Sequence, residues 1–185
     1  MEWYQKRFRR NLVDMHIEDW DETFLSGFDP DRYVELLKLG QIDAPMLYFQ
    51  SHVGLCYWPT QSGKMHAGFK GREDAMRRVE RGCHRAGMDV IGYYSLIYNN
   101  WAHEHHPEWR MVDASGAHSR SDGSRYGLCC PNNLAYREFT ERQIAELCAY
   151  FDFEAIFMDM LFWPMICQCD SCRARWEKEV GGPLP

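Results

Sequence analysis

The residues most suited to chemistry are three closely set cysteines, Cys167, Cys169 and Cys172, in "CQCDSC", and a carboxylate, Asp159, eight residues before the first of them. Cys-x-Cys-x-x-Cys offers three thiolates on one tight turn. A structural zinc takes four tetrahedral ligands, and close spacing lowers the entropy cost of gathering them. The fourth thiolate has to come from elsewhere, and Cys129 or Cys130 is placed to supply it. Four cysteines leave no coordination position open, so such a metal would pin loops together and take no part in catalysis. The Cys169–Cys172 pair could also be redox-active or simply reduced, although a thioredoxin-like context is missing. Cys56, Cys83 and Cys148 read as apolar fillers.

Asp159 is the acid in the apolar run "FEAIFMDMLF" (153–162). A carboxylate there is costly unless it is paired or used. It reads as a catalytic nucleophile or acid/base, or else as a structural acid bound to Arg or to backbone amides. Other candidates follow the ends of expected strands: His16 after the first, with Glu18 and Asp19 just beyond it; His52 after the second, with Trp58 in the next loop as a platform for a sugar ring; and Asn99, Asn100 and Trp101 after the third, followed by His103, His105 and His106. The adjacent histidines lack an i, i+4 register for a metal. One or two of them are expected to hydrogen-bond a ligand or cap a loop. Trp109 reads as a loop anchor.

These residues need a frame. Strands are expected at 10–19, 44–52, 88–99 and 153–162, and helices at 29–41, 72–87, 132–151 and 170–180. Asp29 before Pro30, with Gly40 near the far end, carries the start and stop signals of a helix. Apolar strands alternating with helices indicate a parallel sheet covered on both faces. Long loops after the second and third strands, with short returns from helix to strand, are the asymmetry of a TIM (β/α)8-barrel, whose sites lie at the C-terminal strand ends. Four units are about half of a barrel, so residues 1–185 read as a single partial barrel catalytic domain, truncated at its C-terminus, whose exposed edges would favour a homo-oligomer.

The net charge of −6 argues against nucleic acid as the main partner. No run of 18–20 apolar residues suggests a membrane span, and no signal peptide is visible, so a cytoplasmic location is expected. Aromatics at 15% suit either a ring-shaped ligand or a large core.

"CCPNNLAYREF" (129–139), a strand ending in an acid, and then "CQCDSCRARW" (167–176) together resemble bacterial barrel glycoside hydrolases. The cysteine pattern is similar to that of the zinc-containing β-galactosidases of glycoside hydrolase family forty-two. That resemblance implies Cys130, Cys167, Cys169 and Cys172 as the zinc ligands. The stretches "EHHPEWRMVDASG" and "FEAIFMDMLFWP" look closer to less characterised glycosyl hydrolases related to α-L-fucosidases. The β-galactosidases end the fourth strand with Asn-Glu, whereas this chain has Phe-Met-Asp-Met, which matches the fucosidase arrangement and implies Asp159 as nucleophile. In both families the second carboxylate stands on a later strand, beyond residue 185. The expectation is therefore a glycosidase, or a fragment of one, that removes a terminal sugar such as galactose or fucose from an oligosaccharide. The alternatives are a carbohydrate-binding or degenerate barrel without catalysis, and a zinc or redox module unrelated to sugars.

Overall fold

The computed structural model describes residues 2–21 and 23–185. In chain order the regular elements are β1 (Arg10–Leu12), α1 (Pro30–Leu39), β2 (Ala44–Tyr48), β3 (Leu55–Cys56), β4 (Lys64–Met65) and α2 (Ala75–Arg85). They continue with β5 (Ile91–Ser95), α3 (Asn100–His105), α4 (Leu134–Tyr150), β6 (Ala155–Asp159) and α5 (Asp170–Glu179). The main sheet is parallel throughout, in the order β1-β2-β5-β6, so each crossover places the next strand beside the last. This is the first part of a (β/α) barrel. Among the described residues no helix is long and apolar enough to cross a membrane.

The pleat sorts the side chains. Leu47, Phe49 and Tyr94 point to the helix side, where they join Val34 and Leu37 of α1, Val79 of α2 and Leu147 of α4 in one buried cluster. Gly82 lets α1 and α2 approach closely: a Cβ there would lie 2.7 Å from Val34 Cγ2. The opposite face carries Tyr48, Tyr93 and Phe157, aligned by the pairs Tyr48↔Tyr93 and Tyr93↔Phe157. Phe157, on the outer strand of this face, is 42% exposed.

α1, α4 and α5 start within two residues of where the sequence places them, and α2 starts at Ala75, three residues after the expected Arg72. Asp29 caps α1 by accepting from Asp31 N and Arg32 N at 2.9 and 3.1 Å, and Asn133 caps α4. The strands are shorter than expected. β1 ends at Leu12, not Asp19, because the following backbone bonds elsewhere: Asp14 Oδ1 accepts from His16 N, and Met15 O accepts from both Ile17 N and the Tyr57 hydroxyl. β2 stops before His52 because Phe49 N and Gln50 N both turn to Tyr93 O, at 3.2 and 3.3 Å. β5 stops at Ser95 rather than Asn99. β6 ends at Asp159 because Met160 is left-handed, at φ 64°. Two segments expected to be loops contain structure: β3 pairs with β4, and α3 forms behind the Asn99 cap.

Candidate active site

Because all four main strands run the same way, their C-terminal ends deliver side chains to one edge of the sheet. Asp159 is the last residue of β6 and pairs across the sheet with Ser95. The Tyr93 hydroxyl donates to its Oδ2, and Met160 N donates to its Oδ1 at 2.8 Å. The left-handed Met160 turns that amide back onto the carboxylate. Such strain in a non-glycine residue costs on the order of 1–3 kcal/mol and is frequent at functional sites. The carboxylate is 28% exposed, so one lobe stays open.

Beside it lies a pair of histidines. His16, from the β1 loop, and His52, from the β2 loop, stack with ring centroids 3.8 Å apart and planes at 20°. His52 N donates to His16 Nδ1 at 3.1 Å, which leaves the His16 proton on Nε2, 3.3 Å from Asp14 Oδ1. The Tyr48 hydroxyl donates to the same Asp14 oxygen at 3.0 Å. On His52, Nδ1 lies 2.7 Å from Ser95 Oγ, whose own proton goes to Tyr98 O. His52 Nδ1 is therefore the donor. Its Nε2 lone pair faces Asp159 Oδ2 at 3.8 Å.

Burial pushes His52 down to about 4, and the neighbouring His16 adds to this. Burial also lowers His16. Both rings are thus neutral near pH 7 and keep a mixed set of donors and acceptors. Burial and the Asp159 carboxylate raise the Tyr93 phenol well above its ordinary range, so it remains a donor to Asp159. Tyr126 closes the site with its ring 4.9 Å from that of His52, and Arg125 packs over Tyr126. The result is a carboxylate held by two hydrogen bonds, a second acceptor at His52 Nε2 and aromatic walls. It can bind a ring bearing hydroxyls and present a carboxylate oxygen to it.

Of the residues picked out in the sequence, Asp159, His16 and His52 come together here. The others do not. Trp58 is 1% exposed and sits in the main core edge-on to Phe151, so it offers no platform for a sugar. Its loop folds down as β3–β4 against α4, with Thr60 Oγ1 donating to Glu146. Asn99 is spent as the cap of α3, accepting from Ala102 N at 2.8 Å, and Gly54 (φ 80°) packs so tightly against it that a Cβ would lie 2.0 Å from Asn99 Oδ1. Asn100 is buried and ties loops together, accepting from Gly127 N at 2.7 Å and donating to Glu18 Oε1 at 3.3 Å. Trp101 stacks on His105 and Phe139, and His106 stacks on Trp109 at 3.6 Å. They form a separate aromatic cluster in which Trp109 is the buried anchor. Tyr93, Ser95, Tyr48, Asp14 and Tyr126 were not singled out in the sequence. The parity of Tyr93 and Ser95 with the face that carries Asp159 is the signal that could have found the first two.

The four expected cysteines do converge. One ligand atom from each of Cys130, Cys167, Cys169 and Cys172 lies within 4.8 Å of all the others, and three of the residues are buried. The Cys130 and Cys172 sulfurs are 3.4 Å apart, too far for a disulfide. Tetrahedral thiolates about 2.3 Å from a metal stand about 3.8 Å from one another, so the set can hold a metal ion. Hydrogen bonds from Cys130 and Cys169 hold the Cys167 thiol well below its usual range. Gln168 N donates to Val112 O at 2.7 Å, tying the cysteine turn to the loop after β5. Met160, next to Asp159, packs on the same cluster. Cys129 points away, with its sulfur 3.8 Å from Asn99 O. Cys56 and Cys83 are buried fillers, whereas Cys148 is exposed, contrary to expectation, because its position on α4 turns outward.

Residues 29–160, from the α1 cap to just past Asp159, match the model of the family described as hypothetical glycosyl hydrolase 6. The chain belongs to that family. No curated protein matches it by sequence. Among solved structures, α-L-fucosidase isoenzyme 2 from Paenibacillus thiaminolyticus superposes with a TM-score of 0.78 at 21% identity, over 97% of this chain and 27% of that one. A GH29 α-L-fucosidase from Bacteroides thetaiotaomicron, trapped as a covalent intermediate in complex with 2-fluoro-fucosyl fluoride, gives 0.52 at 19% identity, over 72% and 28%. A hypothetical protein from Ruminiclostridium thermocellum gives 0.55 at 18%, over 74% and 71%. At these identities the likeness is one of fold. The chain spans about a quarter of the length of the two fucosidases.

Proposed function

We propose that this glycosyl hydrolase chain carries the sugar-binding and nucleophilic side of an α-L-fucosidase-like active site. In this reading Asp159 attacks the anomeric carbon of a terminal fucosyl residue. The observation that carries it is the Asp159 carboxylate itself: held by Tyr93 and Met160 N, open on one side, and set 3.8 Å from the neutral His52 Nε2. Hydrogen bonds from Tyr93 and Met160 N hold the carboxylate in one orientation. His52 Nε2 accepts a sugar hydroxyl, while Tyr126 covers a ring face. The chemistry of the fucosidases that share this fold supports the choice of fucose over galactose. The second carboxylate, the acid/base of a two-carboxylate mechanism, would stand on a later strand of the full barrel.

In this reading the four cysteines bind zinc. Cys130, Cys167, Cys169 and Cys172 fill its coordination shell, so the ion supplies rigidity to the loops around Asp159.

The test uses a leaving group that needs no protonation. Mixed with 4-nitrophenyl α-L-fucoside, the chain should release a burst of 4-nitrophenolate stoichiometric with protein, and Asp159→Asn should release none while still binding the sugar. A burst that survives in Asp159→Asn would reject the assignment, as would no burst from a folded wild-type chain.

A further inference from the structure

A second cavity adjoins the site. It is a cleft of about 450 Å³ between the loop after β5 and the loop after β6. Tyr98, Arg125 and Tyr126 line it, and the rings of Tyr98 and Tyr126 also stand 5.0 and 4.9 Å from the ring of His52. These two tyrosines are therefore a shared wall between the Asp159 site and the cleft. Cavities of roughly 300–1,000 Å³ are the usual size for small-molecule ligands.

The polar groups of the cleft are arranged for hydroxyls. Asp113 uses Oδ1 for its own turn, accepting from Ser115 N and Ala117 N at 2.8 and 3.0 Å. Asp122 uses Oδ1 in the same way, for Ser124 N at 2.9 Å and Ser124 Oγ at 2.6 Å. In each case one carboxylate oxygen is committed to holding the loop and the other is left to accept. Ser119, 9% exposed, accepts from Leu128 N at 3.0 Å, which leaves its hydroxyl proton to donate. Arg125 offsets one of the two acids, and burial lowers His118 so that it is neutral near pH 7, which leaves the lining with only a slight negative excess. Pro164 and Met165 supply an apolar patch from the β6 side. Fixed acceptors, a donor, an apolar patch and near-neutral charge together suit an uncharged sugar ring, with hydroxyls at its rim and C–H groups on its face.

We propose that this cleft holds the leaving-group sugar, so that the substrate is a disaccharide or longer glycan whose second residue is neutral. This inference rests on the fucoside reading of the Asp159 site. The test is binding to the 185-residue chain, followed by backbone amide NMR shifts, with two probes. Methyl α-L-fucoside has no second ring, whereas α-L-fucosyl-(1→2)-galactose does. Both should shift amides near His16, His52 and the shared wall at Tyr126, and only the disaccharide should also shift Ser119 and Ser124. Asp122→Asn keeps an oxygen for the Ser124 turn, and it should weaken disaccharide binding about tenfold or more while leaving methyl α-L-fucoside unchanged, as expected for losing a hydrogen bond to a charged group. If the disaccharide shifts only the His16, His52 and Tyr126 surroundings and Asp122→Asn has no effect, the cleft assignment fails and the fucoside reading stands. If neither probe shifts anything, both fail.

Discussion

His52 gives the site a measurable sensitivity to acid. Its folded pKa lies near 4 because the ring is buried and faces His16, whereas the unfolded chain holds the ordinary value of 6.5. Between those limits the unfolded state binds the extra proton, so stability is intact above about pH 6.5 and falls as the pH drops toward 4. Each pH unit crossed within that window costs about 1.4 kcal/mol, so acidification from about pH 6.5 to about pH 4.5 removes about 2–3 kcal/mol through this one ring. Replacing it by His52→Asn keeps a donor near Ser95 Oγ and removes the titration. Urea unfolding followed by tryptophan fluorescence, at about pH 7 and about pH 4.5, measures the difference. The wild type should lose about 2–3 kcal/mol more than His52→Asn between the two pH values. His103, which burial also holds near 4, titrates in both proteins and cancels. Equal losses in the two proteins would refute the claim that His52 is held neutral beside Asp159.

Other expectations rest on the same geometry. Tyr93→Phe preserves the 3.9 Å stack on Tyr48 but removes the donor to Asp159. It should slow the burst of 4-nitrophenolate from 4-nitrophenyl α-L-fucoside roughly 10–100-fold, as measured by stopped-flow absorbance. The chain purified under reducing conditions should carry one zinc by elemental analysis, and chelation should speed hydrogen exchange first at Ile97 and Met160, which pack on the cysteine cluster. Gly54→Ala forces a Cβ against Asn99 at a left-handed φ and should cost roughly 1–3 kcal/mol in chemical denaturation, with the α3 cap disturbed.

The sequence and the structure agree best where chemistry is encoded locally. Asp159 is visible because an acid inside an apolar strand needs a reason, and the cysteines because their spacing has few other uses. α1 is visible because Asp29, Pro30 and Gly40 mark both of its ends. What escaped is set by tertiary packing. "GYYS" carries Tyr93 and Ser95 toward Asp159, but an apolar strand does not reveal which of its two faces looks into the barrel. Trp58 sits in a Pro-containing segment that reads as an exposed loop, yet the β3–β4 pairing folds it into the core. Asn99 and Asn100 look like ligands at a strand end, and a six-residue helix is too short for its periodicity to reveal that they cap and brace it.

Bond formation between Asp159 and a sugar is the central claim. 2-Fluoro-fucosyl fluoride carries a leaving group that departs without an acid: the Asp159 oxygen would bond to the anomeric carbon as the C–F bond breaks and fluoride leaves. Peptide mass spectrometry after incubation should find one fluorofucosyl group per chain, esterified to Asp159 and absent from Asp159→Asn. A folded chain that stays unlabelled, or one labelled equally in Asp159→Asn, would contradict the assignment of Asp159 as the nucleophile.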